Sequence, residues 1–290
     1  MNIMGVVGAG TIGMGVAHLF AQAGVNTVLI DRYDVQLEAA RAQIRQNARM
    51  YALVQKNLAD ADVVVGHLTF STQLSDIAGV DFVIENITEN VEVKTAVHRE
   101  IDAIVRSDVP VAANTSAIPI TRIAGFGKHP ERVIGMHFMN PPPIMPMVEI
   151  IRGTHSSKSA LGAAEAAVTR AGKQSITVND SPGFVTNRVM MLMVNEAMFL
   201  VHEGVAGVQE VDRLFKTCFG HKMGPLETAD LIGLDTVKLS LDILYDEFND
   251  PKYRPCPLLK RLVYAGHTGR KVGRGFHVYW SNRKEANHVE

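Results

Sequence analysis

The chain has 290 residues, enough for one large domain or two ordinary ones, and 47% hydrophobic with 20% charged side chains is the composition of a protein with a sizeable core. Its 29 basic and 30 acidic residues leave a formal net charge of -1, so no basic excess exists to hold nucleic acid or an anionic membrane. Cys218 and Cys256 fit no zinc or redox spacing and read as reduced thiols, with no metal site expected.

The first element expected is a buried strand at 3–7, without the basic n-region or the long apolar stretch of an export signal or membrane span; a soluble, cytoplasmic protein is expected. Gly8-Ala9-Gly10-Thr11-Ile12-Gly13 follows that strand and opens a helix. Gly8 allows a tight turn, Gly10 lets the backbone approach a diphosphate and Gly13 lets helix and strand pack closely, with the phosphates over the helix N-terminus. A second strand at 27–30 ends at Asp31, where a carboxylate accepts from ribose hydroxyls and repels a 2'-phosphate, so NAD is favoured over NADP although Arg32 is adjacent. A helix over 35–54 carries Arg41, Arg45 and Arg49 on one face, read as solvated or as an anion contact.

Strands are expected next at 67–70, 82–84, 109–112, 133–138, 148–151 and 175–178, with helices in most gaps: an α/β, Rossmann-type domain with a parallel sheet. Asn114-Thr115-Ser116 emerges at the carboxyl end of the 109–112 strand, where open α/β sheets bind ligands. His137 and Glu149 lie on the two strands that flank a segment with Pro141, Pro142, Pro143 and Pro146. Those prolines enforce a broad turn, and if the strands fold back on each other the imidazole and carboxylate come to lie opposite. Such a pair is a general base held in one tautomer, as alcohol oxidation requires.

Strand signals stop near residue 182, so a Rossmann domain at 1–182 is expected before a smaller all-helical domain at 183–290. Asn187 starts a helix and is read as facing the first domain or as a cap. The helix over 184–201, with Met190, Met191, Met193 and Met198, is apolar nearly all round and points to homodimer packing, or to an adaptable acyl pocket.

The chain as a whole resembles the 3-hydroxyacyl-CoA dehydrogenase family, in particular its bacterial 3-hydroxybutyryl-CoA branch. The segments that carry the likeness are the glycine fingerprint, Asp81 to Glu85, Glu89-Asn90, Asn114-Thr115-Ser116, Gly135-Met136-His137-Phe138, Asp180-Ser181-Pro182-Gly183-Phe184 with Asn187-Arg188, Met223-Gly224-Pro225, Asp230 to Asp235 and Gly269-Arg270-Lys271. The resemblance implies that His137 is the base, that Glu149 orients it, that Ser116 and Asn187 hydrogen-bond substrate, and that Glu89 and Lys94 line the nicotinamide and substrate cleft. It also implies hydride transfer between C3 of a 3-hydroxyacyl thioester and NAD, and a dimer formed by the helical domain. The chain departs from the family at Asn86, Thr88, Met139 and Pro146, and the stretch around Lys56 is short of the usual basic residues. With the arginine face, these departures raise a polar short acyl group on an acyl-carrier protein as an alternative substrate to an acyl-CoA. Hydroxyacid dehydrogenases share the fold and remain a rival reading, as does a non-catalytic, crystallin-like role.

Overall fold

The computed structural model describes residues 2–54 and 59–279; the stretch around Lys56 lies outside the described residues. The chain divides into two compact units, Met1–Phe184 and Val185–Glu290.

The first unit is an eight-stranded sheet in the order β3-β2-β1-β4-β5-β6-β7-β8. Its strands are β1 (Ile3–Val7), β2 (Asn26–Ile30), β3 (Leu68–Ser71), β4 (Phe82–Glu85), β5 (Val111–Ala113), β6 (Val133–Phe138), β7 (Met147–Arg152) and β8 (Gln174–Asn179). Its helices are α1 (Thr11–Gln22), α2 (Asp34–Val54), α3 (Ala61–Gly66), α4 (Val91–Ile104), α5 (Ile120–Ala124) and α6 (Lys158–Arg170). β4, β5 and β6 are buried at every residue, because α1 and α6 cover one face of the sheet with Val16, Phe20, Leu161 and Ala164 while Ile77, Ile101 and Val105 cover the other. That double covering is why these strands read as continuous apolar runs rather than alternating ones.

The sheet is not parallel throughout, which corrects the sequence expectation in one place. β7 runs antiparallel to β6, and β8 is parallel to β7. The short proline-bearing turn at 139–146 can only return the chain to a neighbouring strand, whereas α6 supplies the longer crossover that a parallel pair needs.

α3, α4 and α6 start under side-chain caps: Asp60 accepts from Asp62 N, Asn90 from Val93 N and Ser157 from Ala160 N. α1 starts at Gly10 with no side-chain cap, so its first amides stay available to a ligand.

The second unit is all helical: α7 (Thr186–His202), α8 (Val208–Phe219), α9 (Pro225–Ile232), α10 (Leu234–Phe248) and α11 (Pro257–Tyr264). Met191, Val194, Met198, Leu226, Val237, Leu241, Leu244 and Leu259 form its core. Two buried carboxylates organise its polar parts. Asp212 accepts from Leu226 N (2.8 Å) and Glu227 N (3.0 Å) at the start of α9, and Asp230 accepts from Phe276 N and His277 N (both 2.9 Å), tying down the final described segment. The apolar helix expected over 184–201 begins two residues later, because Phe184 takes a left-handed conformation (φ 52°) and belongs to the first unit. Val185 and Val189 are exposed, so α7 is not buried all round within this chain. Among the described residues no helix is long and apolar enough to cross a membrane.

Candidate active site

The glycine loop is built as its spacing demands. Gly8 has φ +98°, and a Cβ there would lie 2.7 Å from Asn86 O, so only glycine lets the loop pass the end of β4. A Cβ on Gly13 would stand 1.9 Å from Gly8 O, which fixes the tight approach of α1 to β1. Beside Gly10 a Cβ would meet nothing within 4 Å: the space over the helix start is open, as a diphosphate requires. Thr11 is exposed and Ile12 half-buried at the same helix start. Asp31 Oδ2 accepts from Ala9 N at 2.9 Å and its Oδ1 from Tyr33 N at 3.1 Å, so the carboxylate also braces the loop. Arg32 stacks over Tyr33.

His137 and Glu149 are direct cross-strand partners in the β6–β7 register. Glu149 Oε2 lies 3.1 Å from His137 Nδ1, and Ser116 Oγ lies 3.1 Å from His137 Nε2. An ionised carboxylate only accepts, so this geometry assigns the proton to Nδ1 and leaves Nε2 as the acceptor, with the serine hydroxyl donating to it. The imidazole is 8% exposed and Glu149 5%, so little water competes for this chain of contacts. The Phe184 ring and the imidazole meet in a T-shaped arrangement, with centroids 5.8 Å apart. That contact was not foreseen from sequence, although Phe184 closes the Asp180 motif. Asp180 itself accepts from Ile120 N (2.9 Å) and Thr121 N (2.7 Å), capping α5.

Glu89 gathers the Ser116 loop. Its Oε1 accepts from Ser116 N (3.0 Å), Ala117 N (3.1 Å) and the Thr115 hydroxyl, which fixes Ser116 against His137. Asn114 donates to Asn86 Oδ1 (2.7 Å) and accepts from Phe138 N (3.2 Å), tying together the loops that leave β4, β5 and β6. Asn86 therefore joins loops by its side chain, a role that its departure from the family did not suggest.

Lys94 is fully buried, with its ammonium 2.8 and 3.0 Å from the two Glu85 oxygens, and His98 Nε2 lies 3.0 Å from Glu85 Oε2. The structure places this ammonium on a buried carboxylate rather than at an open surface. Burial opposes charge on Glu85, but the Lys94 ammonium and the hydrogen bond from His98 outweigh it and hold the carboxyl below its usual range. Glu85 was given no role of its own from sequence; the signals were its place in the Asp81 to Glu85 segment and a carboxylate ending an otherwise apolar strand. Asn187 lies in the first turn of α7, in the second unit.

Two family models match this chain: the 3-hydroxyacyl-CoA dehydrogenase NAD binding domain over residues 3–181 and the 3-hydroxyacyl-CoA dehydrogenase C-terminal domain over 183–279. The chain belongs to the 3-hydroxyacyl-CoA dehydrogenase family. It is 42% identical over 278 residues to a probable 3-hydroxybutyryl-CoA dehydrogenase of Bacillus subtilis, covering 94% of this chain and 96% of the relative. A 3-hydroxybutyryl-CoA dehydrogenase of Bradyrhizobium diazoefficiens is 40% identical over 279 residues, covering 95% and 94%. The crystal structure of (S)-3-hydroxybutyryl-CoA dehydrogenase from Ralstonia eutropha superposes with a TM-score of 0.90 at 41% identity, covering 97% of this chain and all of that one. The protein is thus an NAD-dependent oxidoreductase acting on a CH-OH group of a 3-hydroxyacyl-CoA, and its first unit is the NAD-binding domain.

Proposed function

We propose that this dehydrogenase interconverts a short 3-hydroxyacyl thioester, of the 3-hydroxybutyryl-CoA type, and its 3-keto form. The observation that carries the reading is His137 held between Glu149 and Ser116. Bound nicotinamide supplies the hydride acceptor. His137 Nε2, already the acceptor nitrogen, takes the proton of the C3 hydroxyl, and Glu149 gives the resulting imidazolium a counter-charge and one orientation. Ser116 and Asn187 hydrogen-bond the substrate oxygen, while Gly8, Gly10, Thr11, Ile12, Gly13 and Asp31 hold the dinucleotide, with Glu89, Lys94 and Asn114 ordering the loops beside it. Reduction of acetoacetyl-CoA followed by NADH absorbance tests the reading: turnover is expected with NADH in preference to NADPH, and no turnover on any thioester would overturn it.

The second unit is proposed as a homodimer contact, supported by the exposed Val185, Val189, Leu214 and Phe219. A monomer by analytical ultracentrifugation would reject that assembly.

A second substrate reading, an acyl group on a carrier protein, is favoured by the face of α2 that carries Arg41, Arg45, Arg49 and the exposed Met50 and Leu53, with Glu38 beside them. Against it, Arg41 already stacks on Phe70 and Arg45 pairs with Asp62 at 3.1 Å. Higher kcat/KM with the carrier-bound acetoacetyl group than with acetoacetyl-CoA is the result that would favour this reading.

A further inference from the structure

β6 reaches past its parallel neighbour. The ladder between β5 and β6 ends at the pair Ala113–Gly135, so Met136, His137 and Phe138 lie beyond it, while β7 pairs with them on the other side. On the β5 side a side chain takes over from the backbone. Asn114, the residue that follows β5, accepts from Phe138 N at 3.2 Å through Oδ1. The strand end that carries His137 therefore rests on a carboxamide where a longer β5 would have continued the ladder.

That carboxamide is held in one orientation. Phe138 N–H can only donate, so the Asn114 atom facing it is the oxygen, and the NH2 group faces Asn86. Asn86 Oδ1 accepts from this NH2 group at 2.7 Å, which turns the Asn86 NH2 group toward Ile84 O at 3.0 Å, a group that can only accept. A backbone donor at one end and a backbone acceptor at the other thus order both amides. Asn86 has little room of its own: a Cβ on Gly13 would come within 3.0 Å of its Cβ, and one on Gly8 within 2.7 Å of its backbone oxygen, so the glycine loop lies against it.

We infer that Asn86 is a positioning residue for the oxidoreductase chemistry: through Asn114 it holds the overhanging end of β6 and keeps His137 against Ser116. The inference rests on the role given to His137 above. Ser116 stands two residues after Asn114, and His137 one residue before Phe138, so this amide fixes the separation of the two strand ends that bring Ser116 Oγ within 3.1 Å of His137 Nε2. Without Asn86 the Asn114 amide keeps its contact to Phe138 but loses the one that stops it turning about its Cβ–Cγ bond. Asn86 is one of the positions at which the chain departs from its family. Its oxygen and one of its N–H groups are engaged within the protein, so its polarity serves the scaffold rather than an acyl group.

The test is a double-mutant cycle of the unaltered enzyme, Asn86→Ala, Asn114→Ala and the double variant, read as single-turnover reduction of acetoacetyl-CoA at saturating NADH, with KM and Tm alongside. Asn86→Ala is expected to slow the hydride step about fivefold, with KM for acetoacetyl-CoA changed by less than about twofold. Alanine keeps the Cβ and backbone on which the glycine loop rests, so the dissociation constant for NADH is expected to be unchanged. In the Asn114→Ala background the same substitution should add less than about twofold, because the path to His137 runs through that amide. A normal rate in Asn86→Ala, with or without a lower Tm, overturns the inference, as does a loss confined to KM or an undiminished loss in the Asn114→Ala background. The split between rate and KM in Asn86→Ala decides the matter even where the double variant does not fold. The polar substrate 4-hydroxyacetoacetyl-CoA is expected to show the same loss as acetoacetyl-CoA; a loss specific to the hydroxylated chain would assign Asn86 to substrate recognition and overturn its positioning role. All of these outcomes leave the dehydrogenase reading intact, whereas an unaltered enzyme that reduces no thioester overturns both.

Discussion

Two buried histidines of the first unit, His137 and His18, show how partners decide what an imidazole can do. His137 has Glu149 on one nitrogen and Ser116 on the other, so a proton arriving on the ring finds a counter-charge and the ring cannot turn. His18 has an aromatic neighbour and no hydrogen bond, and its charged form is excluded until about pH 4. The first environment suits proton transfer; the second holds a ring that stays neutral near pH 7. A third buried histidine, His98, shares Glu85 with Lys94 and belongs to a packed ionic cluster.

The contrast breaks most visibly at His137. His137→Ala is expected to slow the chemical step by about 100- to 10,000-fold while NADH binding is kept, because only the proton acceptor is removed. Glu149→Gln should act in the same direction: an amide can hold the ring without giving it a counter-charge. Single-turnover rates at saturating NADH check both, and a near-normal rate in His137→Ala would remove the base assignment.

A smaller effect, on stability, is expected at the ionic cluster. Glu85→Gln removes the nearer counter-charge of the buried Lys94 ammonium and leaves it Glu89 Oε2 at 4.0 Å; breaking a buried pair costs about 3–5 kcal/mol. Urea unfolding followed by circular dichroism reads this directly. Because the Glu85 carboxyl is held below its usual range, its contribution is present above the ordinary carboxylate range and is lost as pH falls through the folded-state value.

At His18 the sign has the same form for a different reason. The folded-state pKa is about 4 against an ordinary 6.5, so between those values the unfolded chain takes a proton that the folded chain refuses. Stability is full above pH 6.5 and declines as pH falls toward 4, by about 3 kcal/mol in all. His18→Leu should flatten that part of the stability curve, measured as urea midpoints at pH 7 and pH 4.5. An unchanged slope would mean that the ring is charged in the folded protein.

The weakest expected effect concerns the cofactor. Asp31→Ala removes the charge that disfavours a 2'-phosphate, so the ratio of kcat/KM with NADH to that with NADPH should fall. Asp31 also accepts from Ala9 N, and a parallel loss of efficiency with NADH itself is expected from loosening the loop.

Much of the fold was legible because it depends on local pattern. All eight strands were anticipated, with ends shifted by at most a few residues, since buried β-branched runs and glycine turns are local signals. The reversal at β7 was readable only as a condition on the proline turn. The meeting of three candidate residues was legible in the same measure: His137 and Glu149 sit at equal distance from the turn and are cross-strand partners, and Ser116, which follows a strand end, lies against His137. Glu85, Phe184 and the Asn86–Asn114 link were not legible, because a carboxylate, a ring and an amide become site parts only when segments far apart in the chain meet.

The sequence by itself determined the strand–glycine turn–helix cradle, the carboxylate at the end of β2 and the two strands bearing His137 and Glu149, since each follows from residues close together on one stretch of backbone. Only the tertiary structure decided that Lys94 lies on Glu85, that Glu89 gathers the Ser116 loop and that His18 has no partner. Whether a buried polar group is paired depends on what several separate elements bring to the same few ångströms, and no local pattern carries that information.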